Sequence, residues 1–116
     1  MTKFKEITKK VRFEIFPIDL IIVVSNDVKQ SRSNRNKLLG VIPHDHYSAF
    51  HYQCGTTSYI FLKYDATPGI IAHEAFHCVW SIFEVIGAEH NNEVMAYTLW
   101  FIVNDIHKFI KEKWRT

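Results

Sequence analysis

Two histidines and a glutamate stand close together in the apolar stretch IIAHEAFHCVW, residues 70–80. Residues four apart project from one face of an α-helix, so the imidazoles of His73 and His77 can bind one metal ion together. Zinc accepts imidazole nitrogen, and a catalytic zinc keeps three protein ligands and a water molecule. Glu74 is about a quarter turn away, near enough to take a proton from that water. The spacing therefore predicts a zinc centre with His73 and His77 as ligands and Glu74 as general base.

The motif needs a helix to carry it, and the flanking residues predict one. Thr67 is a good N-cap and Pro68 suits the first helical position, while Gly87 is a typical stop after Ile86. Starting from His73, the positions on one narrow stripe are polar, and nearly all other positions in 70–86 are apolar. We therefore expect a helix buried on most of its circumference, whose polar stripe faces water or a lined cavity. A solvated helix face that carries these residues by accident is the alternative. The stripe continues through His77, Ser81 and Glu84.

A catalytic zinc site needs a third protein ligand, and several downstream residues are candidates. They are Glu84, Glu89, His90, Glu93, Asp105 and His107. Glu84 shares the helix of the motif and could not easily fold back to the ion. Glu93 is the best choice, because it opens the next helix, and helices joined by a short link run antiparallel. His90 is the second choice. Glu93 also has a simpler explanation, since an acidic side chain is favourable in any first helical turn.

The combination of HEAFH with NEVMAY resembles the gluzincin class of zinc metallopeptidases. The chain also resembles the small metallopeptidase-like proteins of bacteriophage genomes, over roughly residues 56–104. The resemblance implies that His73, His77 and Glu93 bind Zn²⁺ and that Glu74 is the general base and proton shuttle. It further implies that the strand SYIFLKY (58–64) is the edge strand above the cleft, where it could hold an extended peptide by strand addition.

Two features of that class have no clear counterpart here. Many gluzincins have an aspartate four residues after the ligand glutamate, which orients a zinc-bound histidine, and this chain has Tyr97 there. Its hydroxyl could make the same bond, or its ring could pack in the core. For stabilisation of the transition-state oxyanion, the residues leave four candidates open. These are Tyr47, His51, Tyr52 and Tyr59.

Other potential ligands form no comparably strong pattern. His44 and His46 would share a face of a strand, which permits a second metal site, although surface histidines are the simpler interpretation. Cys54 and Cys78 lack a C-x-x-C partner and define no disulfide framework, so we expect two reduced, buried thiols. Cys78 also lacks the activated environment of a cysteine-protease nucleophile.

The remaining elements follow from apolar alternation and from turn residues. Strands are expected at 11–16 and 18–25, and a hairpin around Cys54–Thr57 should join SAFHYQ to SYIFLKY. Residues 1–10 could be a frayed start or a short helix. Asp27 could cap a short helix that ends at Gly40, and Asn91 could cap a long final helix over 92–114. The basic residues between Asp27 and Gly40 are expected on a solvated surface, with contact to a phosphate or an acidic partner as the alternative. They are Lys29, Arg32, Arg35 and Lys37.

Length and composition fit one domain over residues 1–116, with 47% apolar residues, 22% charged residues and a net charge of +2. This small charge gives little reason to expect a nucleic-acid partner, and apolar runs such as LIIVV are far shorter than a membrane span. No signal peptide is recognisable, so we expect a cytoplasmic protein, in the host cytoplasm if a phage encodes it. The expected fold is α+β, with a small antiparallel or mixed sheet packed on two long helices, one of them a zincin-like active-site helix.

The function that these residues favour is zinc-dependent hydrolysis of a peptide bond in a peptide or protein substrate. A non-catalytic protein of zincin-like shape, which would act on a host factor by occlusion, is the alternative. A third interpretation is a protein that zinc merely stabilises, and it predicts unfolding on chelation.

Overall fold

A small sheet and two long helices account for most of the structure, a computed structural model that describes residues 3–35 and 49–114. The elements confirm the predicted α+β class. In chain order they are β1 (Glu6–Arg12), β2 (Asp19–Ser25), α1 (Val28–Ser33), β3 (Ala49–Cys54), β4 (Thr57–Lys63), α2 (Pro68–Ile86) and α3 (Asn92–Phe109), followed by a π-helical turn at Ile110–Trp114.

The sheet is mixed, and its strand order is β1-β2-β4-β3. The β1–β2 and β3–β4 pairs are antiparallel, whereas β2 and β4 are parallel. The strand at residues 58–64 therefore lies inside the sheet, and the prediction that it forms the edge is wrong. Its five central residues, 58–62, are all buried, and the apolar run at 59–62 suits a strand with neighbours on both sides. In the described part of the chain the edge strands are β1 and β3, and β3 is the one that pairs with β4.

The first strand lies earlier in the chain than its alternation suggested. β1 pairs with β2 along its whole length, from Glu6 opposite Ser25 to Arg12 opposite Asp19. Neither a frayed start nor a short helix is present at 6–10, because pairing with a buried neighbour outweighs weak local preference. Beyond Arg12, residues 13–16 leave the strand, and the rings of Phe13 and Phe16 pack edge to face, 5.6 Å apart.

The predicted helix boundaries are confirmed for α2 and for the start of α3. The Thr67 hydroxyl accepts a hydrogen bond from the Ile70 N–H, and Pro68 is in the first turn. Gly87 ends α2 with φ of 70°, a left-handed conformation that glycine adopts without strain. The Asn91 side chain accepts from two main-chain N–H groups of the first turn of α3. These caps fix the short link between two antiparallel helices.

The polar segment after β2 begins as predicted, with Asp27 capping α1 at the Gln30 N–H. Its predicted end at Gly40 and the basic residue Lys37 lie outside the described residues. The predicted solvated surface is only partly correct. Arg32 is 8% exposed, and Arg35 makes two hydrogen bonds to the Glu6 carboxylate, at 2.7 and 3.1 Å.

The main core lies between one face of the sheet and the two long helices. β2 and β4 contribute Leu20, Ile22, Val24, Ile60 and Leu62, while α2 and α3 contribute Ile71, Ala75, Cys78, Ile82, Ile102 and Ile106. A smaller cluster covers the opposite face. Cys78 is buried as expected, but Cys54 is exposed because it ends β3 at the hairpin turn. Because one face of α2 packs in this core, the residues on its other face point to solvent. The smaller cluster consists of Val23, Val28, Tyr59 and Phe61.

By length and composition alone, α2 could cross a membrane. Its most apolar 18-residue window has a mean hydropathy of 1.3, and 39% of that window is buried. The core helix of a water-soluble protein meets the same criterion, so this is a weak indication.

Candidate metal centre

His73 and His77 lie next to each other on the exposed face of α2. Their Nε2 atoms are 3.1 Å apart, and their rings are almost perpendicular, at 81°. The opposite face, with Ala75 and Cys78, packs on the sheet. The predicted pairing of the two imidazoles is confirmed, and the two nitrogen atoms are placed to share one cation.

Glu74 belongs to the same group, although its side chain is half-buried. One ligand atom from each of His73, Glu74 and His77 lies within 4.8 Å of the others. Burial raises the pKa of Glu74, and the positive charges of the two imidazoles and the main-chain N–H of His51 oppose this rise. A carboxylate with a raised pKa is a better general base near neutral pH.

The donor set of this group fits a divalent metal ion. Imidazole nitrogen is a ligand for zinc, and it also suits copper, nickel and iron. The group is therefore a possible metal site that is not specific to zinc by its chemistry alone. His73 and His77 would hold the ion, and Glu74 would face the water bound to it.

Glu93 is in the first turn of α3, where its side chain is exposed. Its N–H is hydrogen-bonded to the Asn91 cap, as expected for that position. Among the described residues, the group with ligand atoms within 4.8 Å contains His73, Glu74 and His77 and does not include Glu93. The structure therefore does not bring Glu93 into the cluster, and its role as third ligand stays a prediction.

Two other candidates for the third ligand are engaged with each other. His90 Nε2 is 3.2 Å from the Glu84 carboxylate, and the His90 ring stacks on Trp80 with 4.0 Å between centroids. This pair closes the link between α2 and α3. Neither side chain is among the three that form the ligand cluster.

The position of Tyr97 excludes one of the two roles that were predicted for its side chain. Its side chain is 66% exposed, and its ring lies 5.7 Å from that of Trp100 on the outer face of α3. Packing in the core is therefore wrong for this residue. A bond from its hydroxyl to a zinc-bound histidine stays a prediction.

Of the four candidates for stabilising an oxyanion, the sheet places one on the side of α2. Tyr52 and Tyr59 pack in the cluster on the opposite face, because alternate residues of a strand point to opposite sides. His51 is on the other side and is half-buried. Burial and then the charge of His77 lower its pKa to about 4, and a hydrogen bond with Gln53 acts in the opposite direction. Tyr47 lies outside the described residues, as do His44 and His46.

One sequence signal could have singled out His51. In the strand AFHYQC, the polar residues His51 and Gln53 occupy the alternate positions that face the helices. These positions are opposite Ile60 and Ser58 of β4, where a purely structural strand would present apolar side chains. Polar residues on the inner face of a strand indicate a site.

Apolar side chains surround the histidines on the exposed surface of α2. Phe76 and Trp80 are 46% and 47% exposed, so the prediction that α2 is buried on most of its circumference is wrong. The reason is that α3 covers only one flank of α2. Between the two helices is a groove of about 240 Å³, which Phe76 and Trp80 line together with Met95 and Leu99.

Comparison of the chain with protein-family models, with curated proteins and with solved structures finds no match. The functional assignment therefore depends on the chemistry of the residues that the fold brings together.

Proposed function

We propose that the protein is a zinc-dependent peptidase whose centre is built on the exposed face of α2. The observation that carries this proposal is the convergence of His73, Glu74 and His77 within 4.8 Å. His73 and His77 would hold the ion, with Glu93 expected as the third ligand. When bound, zinc would lower the pKa of a water molecule and polarise the carbonyl group of the substrate.

Glu74 is the residue of the chain that would move the proton. Its carboxylate would accept a proton from the water and later deliver it to the leaving amine. Its half-buried position supports this role, because burial raises its pKa and so favours proton uptake. The neighbouring imidazoles oppose that shift.

The edge strand beside the centre supports a peptide as the substrate. Even-numbered residues of β4 bond to β2, as shown by the bond from the Tyr64 N–H to the Ser25 carbonyl. Odd-numbered residues of β4 therefore bond to Phe50, Tyr52 and Cys54 of β3. The main-chain groups of His51 and Gln53 then point to the other side of β3, where no further strand pairs among the described residues and an extended peptide could add as a strand.

The test combines metal analysis with hydrolysis of an unstructured peptide mixture, followed by mass spectrometry. We expect about one zinc per chain in the wild type. We expect Glu74→Gln to retain the zinc and to lose a factor of about 10²–10⁴ in hydrolysis, the usual contribution of a general base. Glu84→Gln, on the same exposed stripe, is the matched control and should cleave normally. Hydrolysis by Glu74→Gln at the wild-type rate would exclude this mechanism.

A non-catalytic binding protein is the second candidate. It is favoured by the large aromatic side chains exposed near the histidines, because exposed apolar patches often mark binding surfaces. Phe76 and Trp80 are the residues nearest to the cluster in the chain. If the biological effect of the protein survives in Glu74→Gln with zinc still bound, this candidate replaces the peptidase.

A further inference from the structure

The outer face of α3 carries an apolar patch that the described part of the chain leaves exposed. Tyr97 and Trp100 are 66% and 60% exposed, and their ring centroids are 5.7 Å apart. Val94 and Phe101 flank them and are each 40% exposed. The opposite face of α3 is buried in the core, so this helix is apolar on two sides. A surface helix normally has a polar outer face, and a contiguous exposed apolar patch often marks an interaction surface.

Charged side chains of opposite sign lie at the two ends of this patch. Residues at i, i+4, i+7, i+11, i+15 and i+18 fall on one stripe of a helix. Six exposed residues of α3 and the turn after it have this spacing, and we call them the outer stripe. In chain order they are Glu93, Tyr97, Trp100, Asn104, Lys108 and Lys111. None of its charged side chains forms an ion pair within the described part of the chain. The outer stripe therefore begins with a carboxylate, is aromatic in its middle and ends with two ammonium groups.

This order of charges makes the outer stripe complementary to itself. If two copies of α3 pack antiparallel about a two-fold axis beside Trp100, Glu93 of each copy lies opposite Lys108 of the other. The reason is that these two residues are seven positions before and eight positions after Trp100. The same rotation places Tyr97 opposite Asn104. A two-fold axis repeats each contact, so one patch supplies both sides of the interface. A surface of uniform negative charge, such as anionic lipid, would attract the lysines but repel Glu93.

We propose that the protein forms a two-fold symmetric dimer through the outer stripe of α3. The aromatic side chains form the centre of the interface, where tryptophan and tyrosine are enriched in protein–protein contacts. The two pairs of Glu93 and Lys108 lie at its rim. They select the antiparallel direction, because parallel packing would bring like charges together. The dimer depends on neither the metal centre nor catalysis, so it is tested separately from the peptidase.

Sedimentation velocity of the zinc-free protein, over a wide range of protein concentrations, measures the dimer. Zinc is left out because an ion bound by Glu93 would compete with Lys108 for the same carboxylate. We expect a reversible dimer in the wild type. Trp100→Ala removes the side chain at the axis from both copies and should raise the dissociation constant at least about 10-fold. Phe4→Ala is the matched control, since Phe4 is also exposed, at 41%, but precedes β1 and lies outside the outer stripe.

Charge reversal tests the antiparallel pairing itself. In Glu93→Lys, two lysines face each other at both ends of the interface, and in Lys108→Glu two carboxylates do. Each variant should therefore stay monomeric at concentrations at which the wild type is a dimer. An equimolar mixture of the two variants should dimerise again, because a heterodimer with one chain of each has an attractive pair at both ends. The double variant Glu93→Lys with Lys108→Glu should also recover the dimer.

Circular dichroism and thermal unfolding establish that each variant is folded, as expected for changes at exposed positions. A wild type that stays monomeric at every concentration overturns the proposal. A dimer that Trp100→Ala leaves intact, or that the mixture of charge variants does not restore, overturns it as well. Binding of a monomeric wild type to vesicles of anionic lipid would assign the patch to a membrane instead. None of these results affects the peptidase proposal, which is tested on Glu74.

Discussion

Two groups of histidine and glutamate lie on the exposed side of α2, and they differ in how their polar atoms are satisfied. At the end of the helix, His90 pairs with Glu84 at 3.2 Å and stacks on Trp80. Near its start, His73 and His77 face each other at 3.1 Å. The pair near the start of the helix, which we call the first group, directs two ligand nitrogens to one point. The pair at the end of the helix, which we call the second group, is complete within the protein.

Residue types alone do not distinguish these groups, since each has imidazole and carboxylate within reach. The difference is in the partners. The imidazole of His90 is paired with a carboxylate, whereas the nearest polar neighbour of His73 is a second imidazole. A cation bound by both imidazole nitrogens stabilises this pair more than the contact of the two imidazoles with each other. The comparison therefore predicts opposite responses of the two groups to zinc, pH and truncation.

Zinc should give the largest effect and should act on one group only. A ligand that binds only the folded protein stabilises it by about 2.7 kcal/mol at 100 times its Kd and about 4.1 kcal/mol at 1,000 times. We expect zinc to raise the free energy of unfolding of the wild type by this amount and of His73→Ala by almost nothing. Chemical denaturation with and without zinc measures the difference.

His90→Ala is the matched control for that measurement, because it removes an imidazole that packs on Trp80 of the same helix. It should respond to zinc like the wild type. An equal loss of zinc stabilisation in His90→Ala and His73→Ala would mean that the two groups do not differ in the way proposed.

Acid should act through His51, which stands beside the first group. Its pKa is lowered from 6.5 to about 4 in the folded protein, so the unfolded chain binds more protons between these values. The corresponding stability is present above pH 6.5 and is lost as the pH falls towards 4. The upper limit is about 3.4 kcal/mol, for 2.5 pKa units at 1.36 kcal/mol each. Denaturation of the zinc-free protein between pH 7 and 4.5 should show this loss.

His51→Gln cannot gain a proton in this range and should show a smaller fall in stability over the same interval. Glu6 provides an internal reference, because its pKa is lowered and its contribution is lost only at more acidic pH. A wild type and a His51→Gln variant with parallel pH profiles would contradict the assignment.

In the zinc-free protein, replacement by alanine should give the opposite order, with the larger loss of stability at His90. His90→Ala removes a ring stacked on Trp80 and an exposed ion pair, and it should lower the stability by about 1 kcal/mol. His73→Ala should have little effect on the zinc-free protein, because His73 is exposed and its polar contact is with His77. Thermal unfolding without zinc compares the two variants directly, and a larger loss in His73→Ala would contradict the comparison.

The sequence predicted the first group because local rules determine it. The Thr67 cap, Pro68 and Gly87 set the ends of α2, and the helical period then places His73 and His77 together. The sheet edge was predicted at β4, the second strand of the hairpin, whereas the first strand, β3, forms it. The reason is that strand pairing depends on the whole sheet. A signal was present nonetheless, because the continuous apolar run in β4 is typical of an interior strand.

The second group shows what local rules miss. Nothing in the sequence near His90 indicates that it stacks on Trp80 and pairs with Glu84, because that contact depends on how the link returns from α2 to α3. The position of His51 on the side of the sheet that faces α2 has the same origin, since it requires β3 to pack against α2. The alternation of polar residues in β3 indicates their side of the sheet, but not the helix that covers it.

Glu74→Gln should give the smallest change in stability, and the direction of that change is the test. Burial raises the pKa of Glu74, so folding is penalised once the carboxylate is charged, and its contribution to stability falls as the pH rises. The uncharged amide avoids this penalty. The zinc-free Glu74→Gln protein should therefore be slightly more stable than the wild type at pH 7, and the difference should vanish in acid. Glu84→Gln should instead be slightly less stable, because it loses the ion pair with His90. If both variants shift in the same direction, Glu74 does not carry the penalty that a buried general base requires.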